Sequence, residues 1–171
     1  MPTEDEVLSR ARDLSLRPAS EGDAHWLRAL RNEVEVRATS RNPAEVGADE
    51  HAAWLAGVLA DPNRHLEICE LDGRAVGQVR LDRLREGRYE ISTALIPEAR
   101  GLGLAGPFMS LAIERLRDSH PEAEVEAHVG AENSRSLGAV HQAGFRPTGE
   151  TDEDGFLVLL ASPASADASS A

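Results

Sequence analysis

The chain has 171 residues, 41% of them hydrophobic, and a formal net charge of −12 from 30 acidic and 18 basic side chains. That length fits one domain able to bury a core without disulfides or metal, and the acidic balance excludes general binding to nucleic acid or anionic membranes. One cysteine, Cys69, excludes an internal disulfide and a cysteine-rich zinc site. No run approaches the roughly 18 apolar residues of a membrane helix, and the start at Glu4, Asp5 and Glu6 is acidic, so a cytoplasmic protein is expected.

Residues 1–13 are charged without a period, and 162–171 are almost entirely Ala, Ser, Pro and Asp; both are expected as flexible tails around a domain at 14–161. Leu14-Ser15-Leu16-Arg17 alternates like a short strand. A helix is expected over about 21–32 on a stripe of Trp26, Leu27 and Leu30, and a second over 49–59 carrying Ala53, Trp54, Leu55, Val58 and Leu59. The period then changes. Residues 66–71 alternate, Asp72-Gly73 makes a tight turn, 75–81 runs back, and 89–96 completes a meander.

Arg100-Gly101-Leu102-Gly103-Leu104-Ala105 follows that third strand directly and opens a helix with Leu104, Phe108, Leu111, Ala112 and Leu116 on one face. Pro107 is tolerated only in a first helical turn, which pins the start near Gly103 or Leu104. Val125 to Val129 reads as a strand, Asn133 caps a short helix ending at Gly144, and 145–148 with 155–160 make a last strand pair. The order is mixed α+β. A strand that returns after one helix to a neighbouring strand implies a right-handed parallel crossover, and the loop at its carboxyl end is a ligand site in open sheets.

The chemistry of the glycine turn is that of an anion seat: amides without intrahelical partners, the positive end of a helix dipole, and no side chains in the way. Arg100 adds a donor fork suited to phosphate. Together with Asn133-Ser134-Arg135-Ser136-Leu137 running to Gly144-Phe145, this turn resembles the GCN5-related N-acetyltransferase family over about 14–160. The resemblance implies a mostly antiparallel sheet with a central parallel strand pair and flanking helices, acetyl-CoA as co-substrate, no metal, and direct acetyl transfer to a primary amine. It assigns Arg100, Gly101, Leu102, Gly103, Leu104 and Ala105 to the pyrophosphate, Leu95 and Ile96 to the pantetheine arm, and Asn133 to the border of the cofactor.

Arg31-Asn32, Val36-Arg37, Ser40, Glu50-His51, Trp54 and Tyr89-Glu90-Ile91-Ser92 are similar to the pattern of amino-sugar-nucleotide N-acetyltransferases. That similarity implies Arg31, Asn32, Arg37, His51 and Trp54 at a nucleotide-linked amino sugar, with His51 and Glu90 as the acid and base candidates. It leaves open a homodimer, an acceptor that is a protein N-terminus, and a catalytically silent acyl-CoA-binding domain. Each residue also has a plain alternative: Trp54 as core, Arg31 and Arg37 as solvated charges, Glu90 as an ion-pair partner of a nearby arginine. Many members of the family carry a tyrosine seven residues after the Asn, poised to protonate the leaving thiolate; here that position is Val140, and the adjacent His141 is turned by about 100° on the helix.

Overall fold

The computed structural model describes residues 1–6 and 13–164, so most of the expected tails, at 7–12 and 165–171, lie outside the described residues. The elements in order are β1 Leu14–Pro18, α1 Ala24–Arg31, α2 Val34–Ala38, α3 Ala48–Ala60, β2 Arg64–Leu71, β3 Arg74–Arg85, β4 Arg88–Leu95, α4 Ala105–Ser119, β5 Glu124–Val129, α5 Ser134–Gln142, β6 Arg146–Thr151 and β7 Leu157–Ala161. A seven-stranded sheet runs β1-β2-β3-β4-β5-β7-β6. Every adjacent pair is antiparallel except β4 with β5. The fold class expected from the sequence is therefore the one observed.

Alternation along the strands divides the interior in two. Val79, Leu81, Tyr89, Ile91, Val125, Ala127 and Val129 meet Phe108, Ala112 and Leu116 of α4 and Val140 of α5 on one face. Leu66 and Ile68 meet Leu27 of α1 and Leu55 and Val58 of α3 on the other. The face of α4 widens beyond the expected stripe, with Met109 and Ile113 buried and Leu111 only partly so. In α3 the positions three and four apart, His51, Leu55 and Val58, are buried, whereas Ala53 and Leu59 fall outside that arc and are exposed. The first helix begins as a 3-10 turn at Glu21–Asp23, and α2 is an additional five-residue helix that periodicity does not reveal.

The feature that positions the site is where β4 and β5 part. They pair from Arg88 with Glu124 to Ile91 with Ala127. Beyond Ile91, β4 continues to Leu95 paired only with β3. The last four residues of β4 thus offer one unpaired edge, at the carboxyl end of the central parallel pair. Asn133 caps α5 by accepting from the amide of Ser136 at 3.2 Å, which holds that helix beside β5.

Candidate active site

Gly101 and Gly103 carry φ of 73° and 71°, backbone that only glycine adopts without strain. The first bond of α4 runs from Phe108 N to Leu104 O at 3.1 Å. The amides of Ala105 and Gly106 therefore have no intrahelical acceptor, and Pro107 has no amide to satisfy. Leu104 itself is buried, so it contributes backbone rather than side chain to the turn. The backbone geometry is compatible with the expected anion seat, but one expected group is placed differently. The Arg100 guanidinium is not turned toward the loop amides: it bonds Glu33 at 2.6 Å, Glu35 at 3.0 Å and the Leu95 carbonyl at 3.1 Å. Arg100 holds the Glu33 carboxyl below its usual range and pins α2 to the turn.

Behind the turn lies the open edge of β4. Ile96 gives its amide to Val76 O at 2.9 Å, on the β3 side. By alternation, the backbone groups of Thr93 and Leu95 face the open side, where the Leu95 carbonyl already accepts from Arg100. Of the two residues expected at this edge, Leu95 lies on it and Ile96 does not; Thr93 stands in its place. The Thr93 hydroxyl oxygen is buried without a hydrogen-bond partner, an orphan that an incoming polar chain would satisfy. From Ser92 to Leu95 the edge spans about 10 Å, three steps of about 3.3 Å, enough for a short extended segment to pair along it.

On the opposite face of the sheet, α1, α3 and β3 enclose a cavity of about 300 Å³ lined by Leu27, Arg31, Asn42, Val46, Glu50, His51, Trp54, Gln78 and Arg80. Three of the residues expected at the acceptor, Arg31, His51 and Trp54, meet here, together with Glu50. Gln78 and Arg80 were not singled out; they face Ala94 and Ser92 of β4 across the sheet, which joins the cavity to the open edge. Arg31 gives Nη2 to Asn42 O at 2.7 Å, while its Nη1 is buried and unpartnered. His51 is 4% exposed and packs against Trp54 with ring centroids 5.3 Å apart. Burial lowers its pKa, with Arg28 and Arg31 adding to the effect, so the imidazole is neutral. Trp54 is half-buried, with the Arg80 guanidinium 5.4 Å from its ring centroid.

Asn32 and Arg37 do something else. Asn32 clamps Val46 through both ends of its amide, at 2.7 and 2.9 Å, and Arg37 bonds the Pro43 carbonyl at 2.9 Å. They hold the 42–46 loop that forms one wall. Neither lines the cavity. A shallower depression of about 490 Å³ lies at the far end of the sheet, by the β3–β4 turn, away from the open edge.

Glu90 projects from β4 on the cavity face and pairs with Arg41 at 3.4 Å, with no direct contact to the arginines near it in sequence. A group that the sequence did not disclose surrounds that pair. His128 of β5 sits one residue past the last β4–β5 pair, with Nδ1 2.7 Å from Asp152 and Nε2 2.8 Å from Glu126. Burial pulls its pKa down, but the bonds to Asp152 and Glu126 outweigh that and raise it above the ordinary histidine value. Val140, at the position of the expected tyrosine, is buried in the other face, and Cys69 is buried with its thiol pushed up by desolvation, so neither offers a proton or a nucleophile.

With a mostly antiparallel sheet parted beyond one parallel pair and a glycine-rich turn at the head of the next helix, the fold is that of an acetyltransferase domain. The acetyltransferase (GNAT) domain model matches residues 13–146, and the chain belongs to that family. It is an N-acetyltransferase that uses acetyl-CoA. Among solved structures, aminoglycoside acetyltransferase AAC(6')-Ib in complex with ribostamycin and coenzyme A is similar with TM-score 0.77 and 20% identity, over 88% of this chain and 93% of that one. Spermidine N-acetyltransferase from Vibrio cholerae, in complex with CoA and spermine, is similar with TM-score 0.75 and 19% identity, over 87% and 94%. A domain from Methanocaldococcus jannaschii gives TM-score 0.76 and 19% identity, over 87% and 97%. No curated protein matches the sequence significantly. Among the described residues no helix is long and apolar enough to cross a membrane, and no group of acidic, histidine or cysteine side chains is arranged to hold a metal.

Proposed function

We propose that the acceptor is the primary amine of a nucleotide-linked amino sugar, held in the Arg31–Trp54 cavity with the amine pointing at the parting of β4 and β5. The carrying observation is Arg31 Nη1, buried at the cavity and without a partner. A buried guanidinium nitrogen calls for an anionic acceptor, and Trp54, with the Asp82-paired Arg80 guanidinium over its ring, supplies an aromatic platform for a sugar or base. Glu50 also lines the cavity, so selection for an anion rests on the unpartnered Arg31 nitrogen against an acidic overall charge.

In this reading the Gly101–Gly106 amides hold the pyrophosphate, and Thr93 and Leu95 bond the pantetheine arm. The thioester then lies beside Ile91 and Ala127, where an uncharged amine attacks it without a covalent enzyme intermediate. Glu90 takes the amine proton, directly or through water, and neutral His51 donates to or accepts from the sugar.

The test is Arg31→Met assayed with acetyl-CoA and two acceptors. KM for a nucleotide-linked 4-amino-4,6-dideoxy sugar should rise roughly 10- to 150-fold, the value of about 1.5–3 kcal/mol for a hydrogen bond to a charged group, while CoA affinity holds. An equal change with spermidine as acceptor would remove the anion from the assignment.

A further inference from the structure

The open position in this site is the acid that protonates the departing sulfur. A thiolate leaves less readily than a thiol, and a positioned acid contributes about 10²–10⁴-fold in such steps. Val140 cannot serve, since it carries no proton and is buried on the far face. His141 is exposed on the outer side of α5.

His128 is placed for the role. Its strand position is the first on β5 beyond the closed part of the β4–β5 pair, on the same face as Glu90. Its side chain is 13% exposed, and its two ring nitrogens are each held by a carboxylate, Asp152 at 2.7 Å and Glu126 at 2.8 Å. Two carboxylates on one imidazole stabilise the doubly protonated ring. The second carboxylate of this set is itself fixed, because Glu126 accepts from Arg88 of β4 at 3.0 Å. From the β6–β7 turn, Asp152 takes the amides of Asp154 and Phe156 on its other oxygen, so it cannot swing away. Arg41, from the loop before α3, completes the surroundings: it lies 2.8 Å from His128 Nδ1 and from Asp152, and 3.1 Å from Asp154. Arg41 and the Nδ1–H of His128 thus share one Asp152 oxygen, so Arg41 can keep that carboxylate paired while the Nδ1–H leaves it, and Nε2–H stays on Glu126.

We propose that His128 is the acid of the transfer, giving its proton to the departing CoA sulfur, with Glu126 and Asp152 as positioning residues. This rests on the thioester lying at the parting of β4 and β5. The nitrogen–carbon bond forms as the carbon–sulfur bond breaks. His128 passes a proton to sulfur, Glu90 or water removes one from the new amide nitrogen, and solvent restores both groups. The raised pKa of His128 agrees with this, since the ring then stays charged between turnovers.

The experiment pairs two acyl donors with His128→Gln. With acetyl-CoA, kcat/KM should fall about 100-fold. With the selenium analogue of acetyl-CoA, whose selenolate leaves without a proton, the loss should shrink to less than about threefold, and CoA affinity by calorimetry should stay within about twofold. Glu126→Gln should move the basic limb of the kcat/KM profile to lower pH. A readout free of any acceptor is the NMR titration of the His128 ring. It should differ between the complexes with CoA and with desulfo-CoA, because only CoA brings a sulfur to the ring. Equal losses with both donors, no loss with acetyl-CoA, or identical titrations with CoA and desulfo-CoA would each overturn the assignment. Intact titration differences without turnover on any amine would sustain the assignment and sink the acceptor reading instead.

Discussion

Gly101→Ala isolates the anion seat from the stability of the fold. Gly101 has φ of 73°, and a Cβ built there meets nothing within 4 Å. The penalty is therefore backbone strain alone, about 1–2 kcal/mol for an L residue in left-handed geometry. For a chain of this size that corresponds to a fall in Tm of about 2–8 °C. Gly73 in the β2–β3 hairpin is the matched control, with φ of 75° and equally open space. Gly73→Ala should cost the same stability and leave CoA binding alone, because the hairpin lies outside the site. Gly101→Ala should relieve its strain by rotating the turn, which misdirects the amides of the seat. Loss of one amide-to-phosphate bond, roughly 1.5–3 kcal/mol, weakens CoA about 10- to 150-fold. Thermal denaturation and calorimetric CoA titration of both variants make the comparison. Equal CoA affinities for the two variants, alongside equal Tm losses, would refute the assignment of the turn.

The Arg17 hydrogen bond is the largest influence on Asp23, whose carboxyl sits at about 2 against an ordinary 3.8. Between those values the unfolded state binds the extra proton, so this contribution is complete above about pH 4 and is lost as pH falls through about 2. Chemical denaturation from pH 5 downward should show a shallower decline for Asp23→Asn than for the parent; parallel declines would contradict the assignment. At the α4–α5 crossing, a Cβ on Gly106 would lie 3.1 Å from the Ala139 carbonyl and 2.7 Å from the flexible end of Gln142. Gly106→Val should destabilise by about 1–3 kcal/mol through overpacking, read as a lower denaturation midpoint; an unchanged midpoint would mean the helices can part freely.

What could be read in the sequence divides along the distance over which a residue's partners act. The Gly101–Gly103 turn was legible because its signals, two glycines, Pro107 and the periodic helix, lie within one short stretch. The strand meander and the Asn133 cap were legible for the same reason. Arg100 was legible as a cation but not in its partners, since Glu33 and Glu35 are 67 and 65 positions away. Helix α2 escaped notice because five residues with Val at 34 and 36 have little helix propensity, and it is the Glu33 cap and Arg100 that hold it. His128 has one local partner, Glu126 two positions back on the same strand face, but the others are remote: Asp152 is 24 positions on and Arg41 87 positions back. Asn32 and Arg37 were expected at the acceptor, but the 42–46 loop uses their hydrogen-bonding groups and neither lines the cavity.

The most direct measurement is thiol release from acetyl-CoA across a panel of amines: nucleotide-linked amino sugars, polyamines, aminoglycosides and peptides with free N-termini, with the acetylated product identified by mass spectrometry. Release well above hydrolysis, fastest with a nucleotide-linked amino sugar and giving its N-acetyl product, is the predicted result. Tight CoA binding with no release above hydrolysis on any amine would contradict it.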